Sequence, residues 1–137
     1  MSLKNLNVKT KIPKLLKSKL NNFRINQVYN SFEKSLNINE DFLVAVSGGP
    51  DSLSLAFLSK IYSIRRNVIS KFLIIDHKLR PNSTKEAIKV KKILKKYSIH
   101  AEILTWYGKK PVRNIQSLAR KKRYDLLFSK SRKLNIK

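Results

Sequence analysis

The chain has 137 residues, 42% of them hydrophobic, which suffices for one domain with its own core. It contains no cysteine, which excludes disulfides, thiolate nucleophiles, Cys-based zinc sites and iron–sulfur ligation. A formal net charge of +23 points to a phosphate-bearing partner such as a nucleic acid, although lysine outnumbers arginine almost three to one, a bias that AT-rich coding sequence also produces.

Taken in chain order, residues 1–30 carry seven basic and no acidic side chains, and Pro13 interrupts any early helix. Residues 1–22 are therefore expected to form a loosely ordered basic arm, with the folded domain over 23–137. From residue 23 to 36, Phe23, Val28, Phe32 and Leu36 predict one helical face, flanked by Ile25 and Tyr29. Residues 42–46 and 71–76 ("KFLIID") are apolar runs of strand length, and residues 52–64 between them fit a largely buried helix. Residues 83–97 predict an amphipathic helix with Ala87, Ile88, Ile93, Leu94 and Tyr97 inward and a Ser83–Glu86 capping box. A third strand is expected over 100–106, opened by His100, then a loop with Gly108 and Pro111, then a basic helix over 114–134. Residues 109–137 hold eleven basic side chains and one acidic, a second candidate phosphate-facing surface. This alternation predicts an α/β fold, a Rossmann-like parallel sheet with right-handed crossovers and helices on both faces. No apolar run approaches the roughly 18 residues of a membrane span and no apolar signal core opens the chain, so no membrane is expected and a cytoplasmic (or organelle stroma or matrix) protein is.

Two of the three glycines stand together in "VAVSGGPDS", at the first turn from strand to helix. That turn lies at the carboxyl edge of the sheet, where such folds bind ligands. Gly48 and Gly49 allow consecutive amides to face an anion, and a helix starting at Asp51 or Ser52 adds its positive end. The same residues would also serve a tight capped turn without a ligand. The spacing is neither a Walker loop nor a dinucleotide fingerprint. S-G-G-x-D-S instead resembles the PP-loop of adenine-nucleotide α hydrolases, which split ATP between its α and β phosphates.

Two more strings narrow the resemblance. "DHKLRPNS", residues 76–83, is similar to the D-H-G-L-R-P-x-S segment of the tRNA(Ile)-lysidine synthase family, and "NIQSLARKKRYDLL", residues 114–127, to its N-x-Q-x-x-A-R-x-x-R-Y helix. The resemblance covers roughly residues 25–130 and implies a ligase that adenylates C2 of the wobble cytidine of tRNA(Ile) with ATP and Mg²⁺ and then ligates free lysine. It implies nucleotide binding by Ser47, Gly48, Gly49, Pro50, Asp51, Ser52, Asp76 and His77, and Mg²⁺ at Asp51. Asp51 and Arg120 are the implied catalytic residues, with Arg80, Gln116 and Arg123 facing tRNA. The arginines suit bidentate phosphate contacts; each is also an ordinary solvated charge. Trp106 and Tyr107 are candidates for base stacking or for core.

Two departures from the family pattern stand out. Lys78 occupies the glycine position of D-H-G-L-R-P, at a cost of about 1 kcal/mol should that position need positive φ. The chain stops before the family's H-x-x-D-D-type segment, so a catalytic domain truncated after its third strand–helix unit is expected, with a second polypeptide as a partner that completes it. Two alternatives stay open: a non-catalytic basic RNA-binding fragment, and a sibling PP-loop tRNA thiolase, against which the missing cysteines count.

Overall fold

A computed structural model describes residues 11–136. The elements are α1 (Lys14–Leu20), α2 (Phe23–Ser35), β1 (Phe42–Val46), α3 (Pro50–Arg66), β2 (Ser70–Asp76), α4 (Ser83–Lys96), β3 (Ala101–Thr105) and α5 (Ile115–Leu134). The three strands form a parallel sheet in the order β1-β2-β3, with Val44 opposite Phe72 and Ile74 opposite Ile103. Sequential order with crossovers of one hand places α3 and α4 on the same face. There Phe42, Val44, Val46, Phe72 and Ile74 pack with Ala56, Ile61, Tyr62, Val90 and Leu94 in one buried cluster. Leu73 is buried on the opposite face, where its register partner Glu102 meets Lys130 of α5 at 2.8 Å.

The element boundaries have local causes. Pro50 occupies the first turn of α3, where its missing N–H costs nothing, and Asn67 ends that helix in the left-handed conformation at φ 54°. The hydroxyl of Tyr62 donates to the carbonyl of Ile38 at 2.9 Å and accepts from its amide at 3.1 Å, tying α3 to the segment before β1. No helix among the described residues is long and apolar enough to cross a membrane.

Four expectations need correction. Residues 1–10 of the expected arm lie outside the described residues, but α1 is packed rather than loose: Leu16 and Leu20 join the core, and Pro13 starts the helix instead of interrupting it. In α2 the buried residue is Tyr29, while Phe23 and Val28 are 75% and 56% exposed. Tyr29 with Phe32 and Leu36 packed on the same core forms the truer inward stripe, Ile25 being exposed, and the Arg65 guanidinium lies 4.6 Å from the centroid of the Tyr29 ring. In α4 Val90 replaces Ile88 on the inward face, because 87, 90 and 94 share one side of a helix. The Ser83–Glu86 capping box does not form, since both side chains are engaged elsewhere.

Candidate active site at the carboxyl edge of the sheet

The turn from β1 into α3 is built around Gly48, which has φ +97° and whose missing Cβ would sit 2.4 Å from Cγ2 of Val90. Backbone conformation and packing both demand glycine there. Gly49 has an ordinary extended backbone (φ −69°) and precedes α3, and a Cβ there would meet Ser47 Oγ at 3.9 Å, an ordinary van der Waals contact. Pro50 brings no N–H, so the donors available to an anion are the amides around it, at the unpaired start of a 17-residue helix. The Ser47 amide donates to Oγ of Ser52 at 2.7 Å, closing the turn on itself.

A cleft of about 580 Å³ opens over this turn, within the range of small-molecule sites. Ser47, Asp51 and Ser52 form its floor, and His77, Arg80, Arg123 and Tyr124 come from the far side. Six of the predicted residues thus line one cavity: Ser47, Asp51, Ser52, His77, Arg80 and Arg123. Gly48, Gly49 and Pro50 shape the turn beneath it.

Asp76, expected beside the nucleotide, is instead 1% exposed and fully occupied by the protein. Its Oδ1 accepts from Ser83 Oγ at 2.7 Å and the Lys78 amide at 3.1 Å, and its Oδ2 accepts from Thr84 Oγ1 at 2.6 Å. Burial pushes this carboxyl up, but the hydrogen bonds from Thr84, Ser83 and the Lys78 amide outweigh it and hold the group below its ordinary value. Asp76 therefore clamps the loop of residues 77–84 to the start of α4. Within that loop Lys78 has φ +51°, the left-handed geometry that suits a glycine, and the hydrogen bond its backbone N–H donates to Asp76 Oδ1 holds it there.

Arg80 is paired with Glu86 at 2.7 Å at the cleft rim, and Glu86 is itself a lining residue. The imidazole of His77 faces the cavity with Nδ1 buried and without a hydrogen-bond partner among the described residues. Its burial and the charge of Arg123 lower its pKa, with Lys110 and Arg80 adding to them and Asp76 opposing. His77 is thus an imidazole among converging cations, all of which disfavour its charged form. Arg120 and Gln116 do not line the cavity; Gln116 is exposed, and the Arg120 guanidinium lies 5.9 Å from the Tyr124 ring centroid. Tyr124 was not singled out from the sequence, although residues four apart on a helix share a face with Arg120. A hydrogen bond with Arg120, then the charges of Arg120 and Arg123, hold its phenol below the usual range.

This glycine-anchored strand-to-helix turn coincides with a family match: residues 17–137 match the PP-loop domain. The chain belongs to the PP-loop domain family. Membership implies ATP binding. Among curated proteins the chain is similar to "tRNA(Ile)-lysidine synthase" of Bartonella henselae, 42% identical over 96 residues, which is 69% of this chain and 20% of the relative. The protein of that name from Rhodopseudomonas palustris is 37% identical over 94 residues, 67% of this chain and 27% of the relative. That from Orientia tsutsugamushi is 42% identical over 89 residues, 65% of this chain and 20% of the relative. The chain thus spans a fifth to a quarter of the length of these relatives.

Proposed function

We propose that the cleft binds ATP with Mg²⁺ as part of a ligase that adenylates C2 of the wobble cytidine of tRNA(Ile) and joins lysine to it. The observation that carries this reading is the convergence of Ser47, Asp51, Ser52, Arg80 and Arg123 on one cavity above a turn that tolerates no Cβ at Gly48. The similarity to proteins named tRNA(Ile)-lysidine synthase supports the RNA substrate.

Each residue has a task in this reading. The amides of the turn and the hydroxyls of Ser47 and Ser52 hold the departing pyrophosphate, a phosphate oxygen replacing Ser52 as acceptor for the Ser47 amide. No three His, Cys, Asp or Glu side chains converge among the described residues, so an all-protein metal cage does not fit here. Mg²⁺ commonly needs only one or two carboxylates plus substrate phosphates, and Asp51 in the first turn of α3 fits that shared mode. The ion would supply charge neutralisation on the triphosphate. Arg123 contacts phosphate from α5, and Arg80 does so by exchanging Glu86 for it. His77 lies on the adenine side of the cleft. Arg120 acts with Tyr124 at the mouth, toward the tRNA, as does Gln116. The cytidine C2 oxygen attacks the α-phosphorus and pyrophosphate leaves; the lysine amine then attacks C2 and AMP leaves with the oxygen.

In this reading a second polypeptide is a partner that brings further carboxylates to the metal. The test is calorimetry with ATP–Mg²⁺, followed by an assay with lysine and unmodified tRNA(Ile). The 137-residue chain is expected to bind ATP, to weaken about tenfold on Ser52→Ala through loss of a hydrogen bond to a charged group, and to form no lysidine alone. No ATP binding would favour the basic RNA-binding module, for which the net charge of +23 already speaks. Lysidine made by this chain alone and lost on Asp51→Asn would show that no second polypeptide is required.

A further inference from the structure

Beside the nucleotide cleft, on the same edge of the sheet, the chain leaves β3 through two aromatic residues with opposite fates. Trp106 is 8% exposed, and its amide donates to the Asp76 carbonyl at 2.9 Å. Tyr107, the next residue, is 79% exposed and adds nothing to the core. Lysines stand over both rings: Lys78 Nζ is 5.8 Å from the Tyr107 centroid, and Lys110 Nζ is 4.2 Å from that of Trp106. Lys110 also donates to the Trp106 carbonyl at 2.5 Å.

Trp106 lines a shallow groove of about 520 Å³ between the loop after β3 and α5, and Tyr107, outside the lining, follows it directly in the chain. Lys109, Lys110, Lys121 and Lys122 line it, with Asp125 as its one acidic lining residue. Desolvation, then the charge of Lys78, holds the Lys110 ammonium below the usual lysine range, so an incoming anion relieves a crowded positive site. Through Lys78 this groove adjoins His77, which faces the cleft.

We propose that this groove is a platform for a single-stranded RNA segment, with an unstacked base lying on Tyr107 and backbone phosphates on Lys109, Lys110, Lys121 and Lys122. An exposed aromatic ring among cations matches what single strands offer, a free base face and closely spaced phosphates. A duplex keeps its bases stacked and uses only the charge. The platform is independent of ATP: it borders the cleft without sharing its phosphate-binding residues.

The chain carries its own reporter, because Trp106 is its only tryptophan. A phosphate that draws Lys110 from the indole face changes its emission. The experiment titrates the full chain with a seven-nucleotide pyrimidine RNA and with a blunt RNA duplex, following Trp106 fluorescence. The expected result is a change in emission with the single strand, and a Kd about tenfold weaker for Tyr107→Ala, as loss of one stacked base implies. Tyr107→Phe should bind as the native chain does, and duplex affinity should change less than twofold in Tyr107→Ala. Lys109→Ala should lower the slope of log K against log salt by about 0.7 for the single strand. Equal single-strand affinity of Tyr107→Ala and the native chain overturns the proposal, as does an equal loss on duplex and single strand. So does binding to anionic phospholipid vesicles that depends on Tyr107 to the same degree. ATP–Mg²⁺ affinity, measured separately on Tyr107→Ala, should be unchanged, so failure of the platform and failure of the nucleotide reading give different results.

Discussion

The two faces of the sheet are finished in different ways. On one, α3 and α4 bury Phe42, Val44, Val46, Phe72 and Ile74. On the other, α5 buries only Ala119 of its own side chains and leaves Ile115, Leu118, Tyr124 and Phe128 exposed beside its arginines and lysines. The first face is a scaffold that holds the strand ends in register. The second is an open surface, where apolar and basic groups share one helix and stay exposed. The carboxyl edge joins them: its turn is fixed by Val90 of the closed face, and its far wall comes from Arg123 and Tyr124 of the open one.

The contrast is sharpest in the core. Phe72→Ala, at 3% exposure, should cost about 3–5 kcal/mol in urea denaturation. Gly48→Ala should follow at about 2–5 kcal/mol, summing a left-handed backbone penalty of about 1–2 with overpacking against Val90 of about 1–3. Adding Val90→Ala should relieve the packing part and leave the backbone part. A Gly48→Ala protein as stable as the native one would show that the turn and α4 do not meet as described.

Asp76→Asn should cost about 1–2 kcal/mol near neutral pH, since it removes charge-assisted bonds but keeps the shape. The carboxyl has a folded pKa below the ordinary 3.8. Its contribution is therefore complete above that value and disappears as pH falls through the folded pKa. Urea titrations across that acidic window should find native and variant converging at the low end. Parallel curves would mean that Asp76 carries no linked proton.

At the open side the expected effects are small. Arg80→Ala removes a pair whose side chains are 73% and 53% exposed, worth about 0–1 kcal/mol, and its consequence should appear in nucleotide affinity instead. Phe128→Ala, at 61% exposure, should change stability by less than about 0.5 kcal/mol. A large loss on Phe128→Ala would mean that α5 is part of the scaffold after all.

Much of this was legible in local pattern. The strand–helix alternation, the strand positions and the turn at Gly48 and Gly49 follow from hydrophobic period and from backbone demands that few residues satisfy. The family resemblance, by its glycine at position 78, raised the condition of positive φ, and Lys78 has φ +51°. The face of α2 was misread because Phe23 and Val28 match Phe32 in hydrophobicity, and which apolar residue is inward depends on what the helix packs against.

What the sequence determined by itself was the order of elements and the place of the turn, because period and glycine act within a few residues of the chain. Tertiary structure alone decided which groups are free. Asp76 and His77 are neighbours in one motif, yet Asp76 is consumed by Ser83, Thr84 and the Lys78 amide while His77 faces the cavity. Trp106 and Tyr107 are adjacent aromatics, one buried and one open. Hydrogen-bond satisfaction and burial are settled between segments distant in sequence, so adjacent residues of the same promise can end with opposite roles.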